Sequence, residues 1–224
     1  MALPIDNALL AALPRVEYRR LLELLEPVTL TFGEVLYEPG AKIAHIYFPS
    51  DSLVSLLILV DRHLALEVGL VGREGIVGVA YAMGIGATPF RVLVQGTGQA
   101  LRMKAETFRA ELNASPTLRR EVHLYAHTLM AQVARTAACN RFHVVEERLA
   151  RWLLMTRDRM RSDSFRLTHG FLANMLGVRR VGVTKAAHAL RKRKLIAYSR
   201  GNISIMNGRG LEAAACSCYE KPAT

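Results

Sequence analysis

Residues 169–188 read HGFLANMLGVRRVGVTKAAH, and the spacing of their small and apolar members leaves few ways to fold. With His169 counted as position 1, Ala173, Gly177 and Val183 fall at positions 5, 9 and 15. A small side chain at Ala173 lets a second helix cross closely over the first. Gly177 supplies the positive φ of a tight inter-helix turn. Val183 plugs a miniature core that Leu172, Leu176, Val178 and Ala186 close. Arg179, Arg180, Thr184, Lys185 and His188 are left outside, and their chemistry suits phosphates and base edges. This is the pattern of a helix-turn-helix whose second helix is shaped for a major groove. The competing reading is a surface corner of some other helical domain, and the basic outward face argues against it.

Charge points the same way. The chain carries a formal +11. Residues 1–140 hold 13 basic and 13 acidic side chains, whereas residues 141–224 hold 17 and 6, so the whole excess lies with the helix-turn-helix. Neutralising phosphates and releasing their counterions makes duplex DNA the natural partner. A membrane surface is the weaker one, because no long amphipathic helix with a bulky apolar face accompanies the charge.

At 224 residues and 51% hydrophobic content, the chain suits one large or two modest folded domains. Its strongest apolar run, Leu53 to Val60, is strand-sized and too short to cross a bilayer. The start, MALPIDNALLAALP, lacks the basic flank of a signal peptide. Three cysteines are an odd, sparse set that fits the reducing cytoplasm better than a disulfide scaffold.

Residues 1 to about 26 read as a helical lead-in with an apolar stripe at Leu21, Leu22, Leu24 and Leu25. From Val28 to about Met103 come short β-like runs (VTLTF, EVLYEPG, HIYFP, LVSLLILV, ALEVGLVG, FRVLVQG, GQALRM). Their alternation and spacing suit an antiparallel barrel or jelly roll, with a short helical piece near 77–83. Pro116 opens a long helix in which Leu118, Val122, Tyr125, Leu129 and Val133 recur at spacings of three and four. We read that stripe as a homodimer seam; the alternative is that it covers the chain's own barrel. A second helix, VVEERLARWLLMTRDRM, turns Val145, Leu149, Trp152, Leu153 and Met160 inward, and a polar break follows at 161–164. LIAYSR and NISIMN flank Gly201 as a hairpin.

The order small barrel, long helix, winged helix-turn-helix resembles the Crp/Fnr superfamily of bacterial transcription regulators over nearly the whole chain. Glu34–Gly40, the ERLARWLL segment from Glu147, and Leu167–Ile196 with its LGVRR carry the resemblance. It implies an α+β fold in three parts. These are a cyclic-nucleotide-binding-like β-barrel sensor at 1–115, a dimerisation helix at 116–142, and a winged helix-turn-helix at 143–224. It also implies a homodimer on a palindromic operator, with RNA polymerase as a further partner.

The same resemblance sets a test that the barrel fails. Cyclic-nucleotide-binding relatives place Gly-Glu against the ribose and Arg-Ser/Thr against the phosphate. Here Val79 follows Gly78, Phe90 stands at the Arg position, and Arg91 is one residue out, on the other face of a strand. Control by cyclic AMP is therefore not expected, and Arg73 and Glu74 read as solvated turn residues. An iron–sulfur cluster is not expected either, because that branch needs three cysteines near its N-terminus and none precedes Cys139 here. Cys139 reads as packing, and Cys216 with Cys218 as an exposed tail pair, so no metal and no cofactor is assigned. His45, His63, His123 and His127 offer haem no distinctive spacing. The effector stays unassigned.

Catalysis is not expected. His63 and Glu67 lack the HxH partner of a cupin metal site, and neither GxSxG nor HExxH occurs. The alternative to a specific regulator is a non-catalytic ligand-sensing or docking barrel whose basic domain binds nucleic acid without specificity. Within the DNA reader, Arg179 and Arg180 are assigned to guanine edges, Lys185 to a base or phosphate, and Val181 to a thymine methyl. Thr168 caps the first helix of the motif and frees amides for a phosphate. His169, Thr184 and His188 complete the interface, with Arg200 and Asn202 at the wing tip. At least half of the run Arg191, Lys192, Arg193 and Lys194 reads as a solvated face.

Overall fold

A computed structural model describes residues 6–60, 65–199 and 201–220. They form two compact units. His63 and Arg200 lie outside the described residues.

The first unit contains the described residues up to Leu56 and from Gly69 to Ala131. Two short helices open it, α1 (Ala8–Ala11) and α2 (Arg15–Leu22). Asn7 caps α1 by accepting from the Leu10 amide, and its side-chain amide donates at 2.9 Å to the carbonyls of both Pro49 and Gly75. A fully buried asparagine with all these bonds fastens the lead-in to the strands. Leu21 and Leu25 are buried as the stripe predicts, whereas Leu24 is exposed.

The strands are β1 (Glu26–Leu30), β2 (Val35–Tyr37), β3 (His45–Pro49), β4 (Leu53–Leu59), β5 (Ala65–Val71), β6 (Arg91–Gly96) and β7 (Gly98–Lys104). Every predicted β-like run forms one of them. They make a three-stranded sheet ordered β1-β7-β3 and a four-stranded sheet ordered β2-β6-β4-β5. A 3-10 turn at Val79–Met83 fills the place of the expected short helix. Phe48, Ile46, Leu53, Leu70, Ile76 and Met103 are buried, and Phe48 meets Phe108 edge-on at a ring distance of 6.1 Å. Phe108 belongs to α3 (Ala105–Ala114), a helix additional to the predicted elements. Arg73 and Glu74 are half-buried and bonded within the fold rather than free solvated turn residues. Arg73 pairs with Asp6 at 3.0 Å, and Glu74 accepts from the Gly72 amide at 3.3 Å.

α4 (Pro116–Phe142) starts where Ser115 accepts from the Leu118 amide at 2.9 Å, with Pro116 at the first helical position. Leu118, Val122, Tyr125 and Leu129 are all buried within the single chain, and Val133 is half-buried. The stripe therefore covers the protein's own first unit and is not an exposed seam. A Cβ placed on Gly75 would lie 1.8 Å from the Tyr125 ring, so the helix rests directly on that turn. The helix exposes a different face, with Leu124 51% and Met130 64% accessible.

The second unit runs from Gln132 and includes Leu57–Val68. Its elements are the last turns of α4, α5 (Val145–Met160), β8 (Ser164–Arg166), α6 (His169–Leu176), α7 (Arg180–Lys192), β9 (Ile196–Ser199), β10 (Asn202–Ile205) and α8 (Gly208–Ala214). α5 carries Glu146 and Glu147 in its first turn and Arg157 and Arg159 in its last, as the helix dipole favours. Leu149, Leu153, Leu172, Val183, Leu190, Ile203 and Leu211 are fully buried and form one core. Trp152 donates through Nε1 to Glu67 at 2.8 Å, which gives this buried carboxylate a partner. β8 joins the predicted hairpin to give a three-stranded wing ordered β8-β10-β9. Neither β8 nor α8 is marked by a pattern in the sequence. Cys216 and Cys218 do not form an exposed tail, since Cys216 is buried and Cys218 half-buried. Tyr219 donates to Asp158 at 2.6 Å, and Arg135 pairs with Glu220 at 2.7 Å, which holds the tail down.

Candidate nucleic-acid interface

α6 and α7 are the two helices that the spacing of Ala173, Gly177 and Val183 demands. Thr168 caps α6 by accepting from the Phe171 amide at 3.1 Å. Gly177 ends it at φ 61, and its amide donates back to the carbonyls of Ala173 and Asn174. A Cβ there would also fall 2.7 Å from Leu66 Cδ1, so glycine is required both by conformation and by space. Ala173, Val183, Ala186, Ala187 and Leu190 turn inward.

The outward face of α7 carries Arg180, Val181, Thr184, Lys185, His188, Arg191 and Lys192, all exposed. Arg179 sits exposed at its N-cap. Val181 is 58% accessible, an apolar side chain facing water in the middle of a basic surface. Arg193 is drawn aside by Glu146 at 2.9 Å and leaves this face. Asn202 opens β10 exposed, next to a turn that Gly201 makes at φ 81.

His169 is the exception among the expected contact residues. It is half-buried, stacked on Tyr198 with ring centroids 4.3 Å apart, and its Nδ1 lies 3.0 Å from Thr184 Oγ1. The Thr184 hydroxyl also reaches the Arg180 carbonyl at 3.1 Å. A hydroxyl has one proton, so donation to that carbonyl requires His169 Nδ1–H to donate to Oγ1. Burial, and then the Arg180 charge, lower the His169 pKa and favour the neutral ring. His169 thus supports the helix that carries the exposed face.

In the first unit, Gly78 adopts φ 98 ahead of Val79. Arg91 is held by Glu38 through two bonds of 2.8 and 2.9 Å. Phe90 is half-buried beside it, its amide bonded to the Thr88 hydroxyl at 3.2 Å.

Capped helix, left-handed glycine, basic exposed helix and three-stranded wing together define a winged helix-turn-helix. Residues 147–214 match the family model of the Crp-like helix-turn-helix domain. A CRP-family transcriptional regulator from Thermus thermophilus superposes with TM-score 0.71 at 18% identity, over 87% of this chain and 99% of that one. A second regulator from the same organism, of the CRP/FNR family, gives 0.69 at 21%, over 85% and 98%. The c-di-GMP-responsive global regulator CLP from Xanthomonas campestris gives 0.70 at 15%, over 86% and 99%. Among curated protein sequences, nothing matches this chain. The protein contains a Crp-like helix-turn-helix domain and has the fold of the Crp/Fnr transcriptional regulators. No described helix is long and apolar enough to cross a membrane.

Proposed function

We propose that this protein regulates transcription in the cytoplasm as a homodimer that reads a palindromic operator, without control by cyclic AMP. The observation that carries this reading is the face of α7, where Arg180, Val181, Thr184, Lys185 and His188 stand exposed together above a buried apolar underside. That set offers guanine, phosphate and thymine-methyl contacts along one helix, as a groove-reading element requires. Arg179 joins it at the helix start, Thr168 presents the α6 amides, and Asn202 reaches flanking phosphates from the wing; Arg200, outside the described residues, is assigned to the same role from the sequence alone. His169 acts by positioning Thr184. The residues 1–115, 116–142 and 143–224 act as sensor, dimerisation helix and reader. RNA polymerase is the further partner.

Two features support the finer points. α4 presents Leu124 and Met130 to solvent, with small Ala134 and Ala138 further along, and a second copy would cover them. Dimerisation is thus moved from the Leu118 stripe to this face. Two reading helices one DNA turn apart would span about 34 Å. Against cyclic AMP, Val79 has no acceptor for a ribose hydroxyl, and Arg91 is already engaged by Glu38.

Selection from random duplex DNA tests the proposal, run with the protein alone and again with cyclic AMP. A palindrome enriched without ligand is expected. Enrichment only with cyclic AMP would overturn the reading of Val79 and Arg91. Uniform retention of all sequences would favour a barrel protein with a non-specific basic domain.

A further inference from the structure

The last turn of α4 and the segment after α8 bring together four soft or borderline donors. Cys139, His143, Cys216 and Cys218 place their sulfur and ring-nitrogen atoms all within 4.8 Å of one another. We propose that they form a four-coordinate site for a single zinc-class divalent cation.

The geometry is that of a ligand cage closed around one ion. Cys139 Sγ and Cys216 Sγ lie 3.4 Å apart, and Cys218 Sγ lies 3.7 Å from His143 Nδ1. Two zinc–sulfur bonds of about 2.3 Å at a tetrahedral angle separate the sulfurs by roughly 3.8 Å, so the observed edges are of the right size. An iron–sulfur cluster places several atoms between its ligands and would hold them further apart. Cys139 and His143 are four apart on a helix, a spacing that puts both donors on one face. The His143 amide bonds the Cys139 carbonyl at 3.1 Å, which keeps that spacing through the helix end. Cys216 and Cys218 enclose the opposite side as a C-x-C pair.

The surroundings fix the donors in place. Arg151 donates through Nε to the Cys218 carbonyl at 3.1 Å, and Arg148 donates to Asn140 Oδ1 at 2.6 Å and to the Leu176 carbonyl. These two guanidinium groups also act electrostatically on Cys139. They offset the net single negative charge of three thiolates around a dication. Loading displaces three thiol protons and takes His143 as the neutral imidazole through Nδ1. Thiolate and imidazole select zinc over magnesium or calcium, and four protein ligands leave no open position. The ion is therefore structural. It fastens the end of α4 to the tail of the DNA-reading unit, which ties metal supply to the integrity of that unit. A Cys139–Cys216 disulfide would account for two of the donors and leave Cys218 and His143 without a role.

The test uses the untagged full chain, reduced and stripped of metal, titrated with cobalt(II) and then with zinc. We expect one equivalent per chain, with tetrahedral d–d bands and a thiolate charge-transfer band that zinc abolishes. Cys218→Ser and His143→Gln change half-buried positions, and each should weaken cobalt binding by at least about 100-fold. Zinc should raise the unfolding temperature of the parent chain and not of these variants. No stoichiometric uptake by the reduced chain would overturn the proposal. So would uptake unchanged in both variants, or a Cys139–Cys216 disulfide in a chain that takes no cobalt once reduced.

Discussion

His169 and Thr184 meet across the helix-turn-helix, Nδ1 to Oγ1 at 3.0 Å, so the first residue of one helix orients an exposed residue of the next. Burial and the Arg180 charge hold the His169 pKa below its ordinary 6.5. The folded state favours the neutral ring, so this contribution to stability is complete above pH 6.5 and is lost as pH falls toward the lowered value. Denaturant midpoints taken between neutral and mildly acid pH should decline in the parent chain and decline less in His169→Gln. Equal slopes would remove His169 from this role.

Arg180→Ala should cost about 1–3 kcal/mol of operator binding and relax the preference at one base pair. Lys192→Ala should weaken all duplexes alike and reduce the salt slope by about 1. Binding isotherms on operator and scrambled DNA at several salt concentrations separate the two. If both substitutions behave alike, the division between base readers and phosphate contacts is wrong.

Leu118 is buried and Leu124 exposed on α4, and the two positions should respond differently. Leu118→Ala, at a fully buried position, should destabilise the fold by about 2–5 kcal/mol. Leu124→Glu should leave the melting of the monomer nearly unchanged and shift the chain from dimer to monomer. Light scattering and thermal unfolding on both variants check this. A monomeric parent chain would refute it outright.

Trp152→Phe keeps an aromatic side chain but loses the pyrrole part of the indole and with it the donor to Glu67. The lost bond to a buried carboxylate should cost about 1.5–3 kcal/mol in urea unfolding. Trp152→Phe with Glu67→Gln should recover part of that loss. Without any recovery, the pair is not coupled.

Gly177→Ala forces an L side chain to φ 61 and its Cβ to within 2.7 Å of Leu66. The backbone alone should cost about 1–2 kcal/mol. Thermal unfolding of the variant measures this, and an unshifted midpoint would mean that the turn tolerates a side chain.

Local spacing made the reading domain legible. Ala173, Gly177 and Val183 constrain one another within 15 residues, and the glycine conformation follows from sterics alone. The strands were equally readable, because alternation marks each one separately. The stripe on α4 was half readable. A helical period says that Leu118, Val122 and Tyr125 are covered, but not by which surface, and here the chain's own first unit covers them. The cysteine cage was hidden by distance, with Cys139 and Cys216 separated by 77 positions and joined only in the fold. The i, i+4 spacing of Cys139 and His143 and the C-x-C pair at Cys216 and Cys218 are its two local traces. β8 has only three residues, too few for alternation to show.

Gly75 and Tyr125 leave no slack between the turn at 72–75 and α4, for the ring occupies the room a methyl group would need. A push that drives residues 72–75 toward α4 is handed over in a single step, by contact, through one phenol ring. No other side chain stands between that turn and the helix at this point, so the two can shift only together.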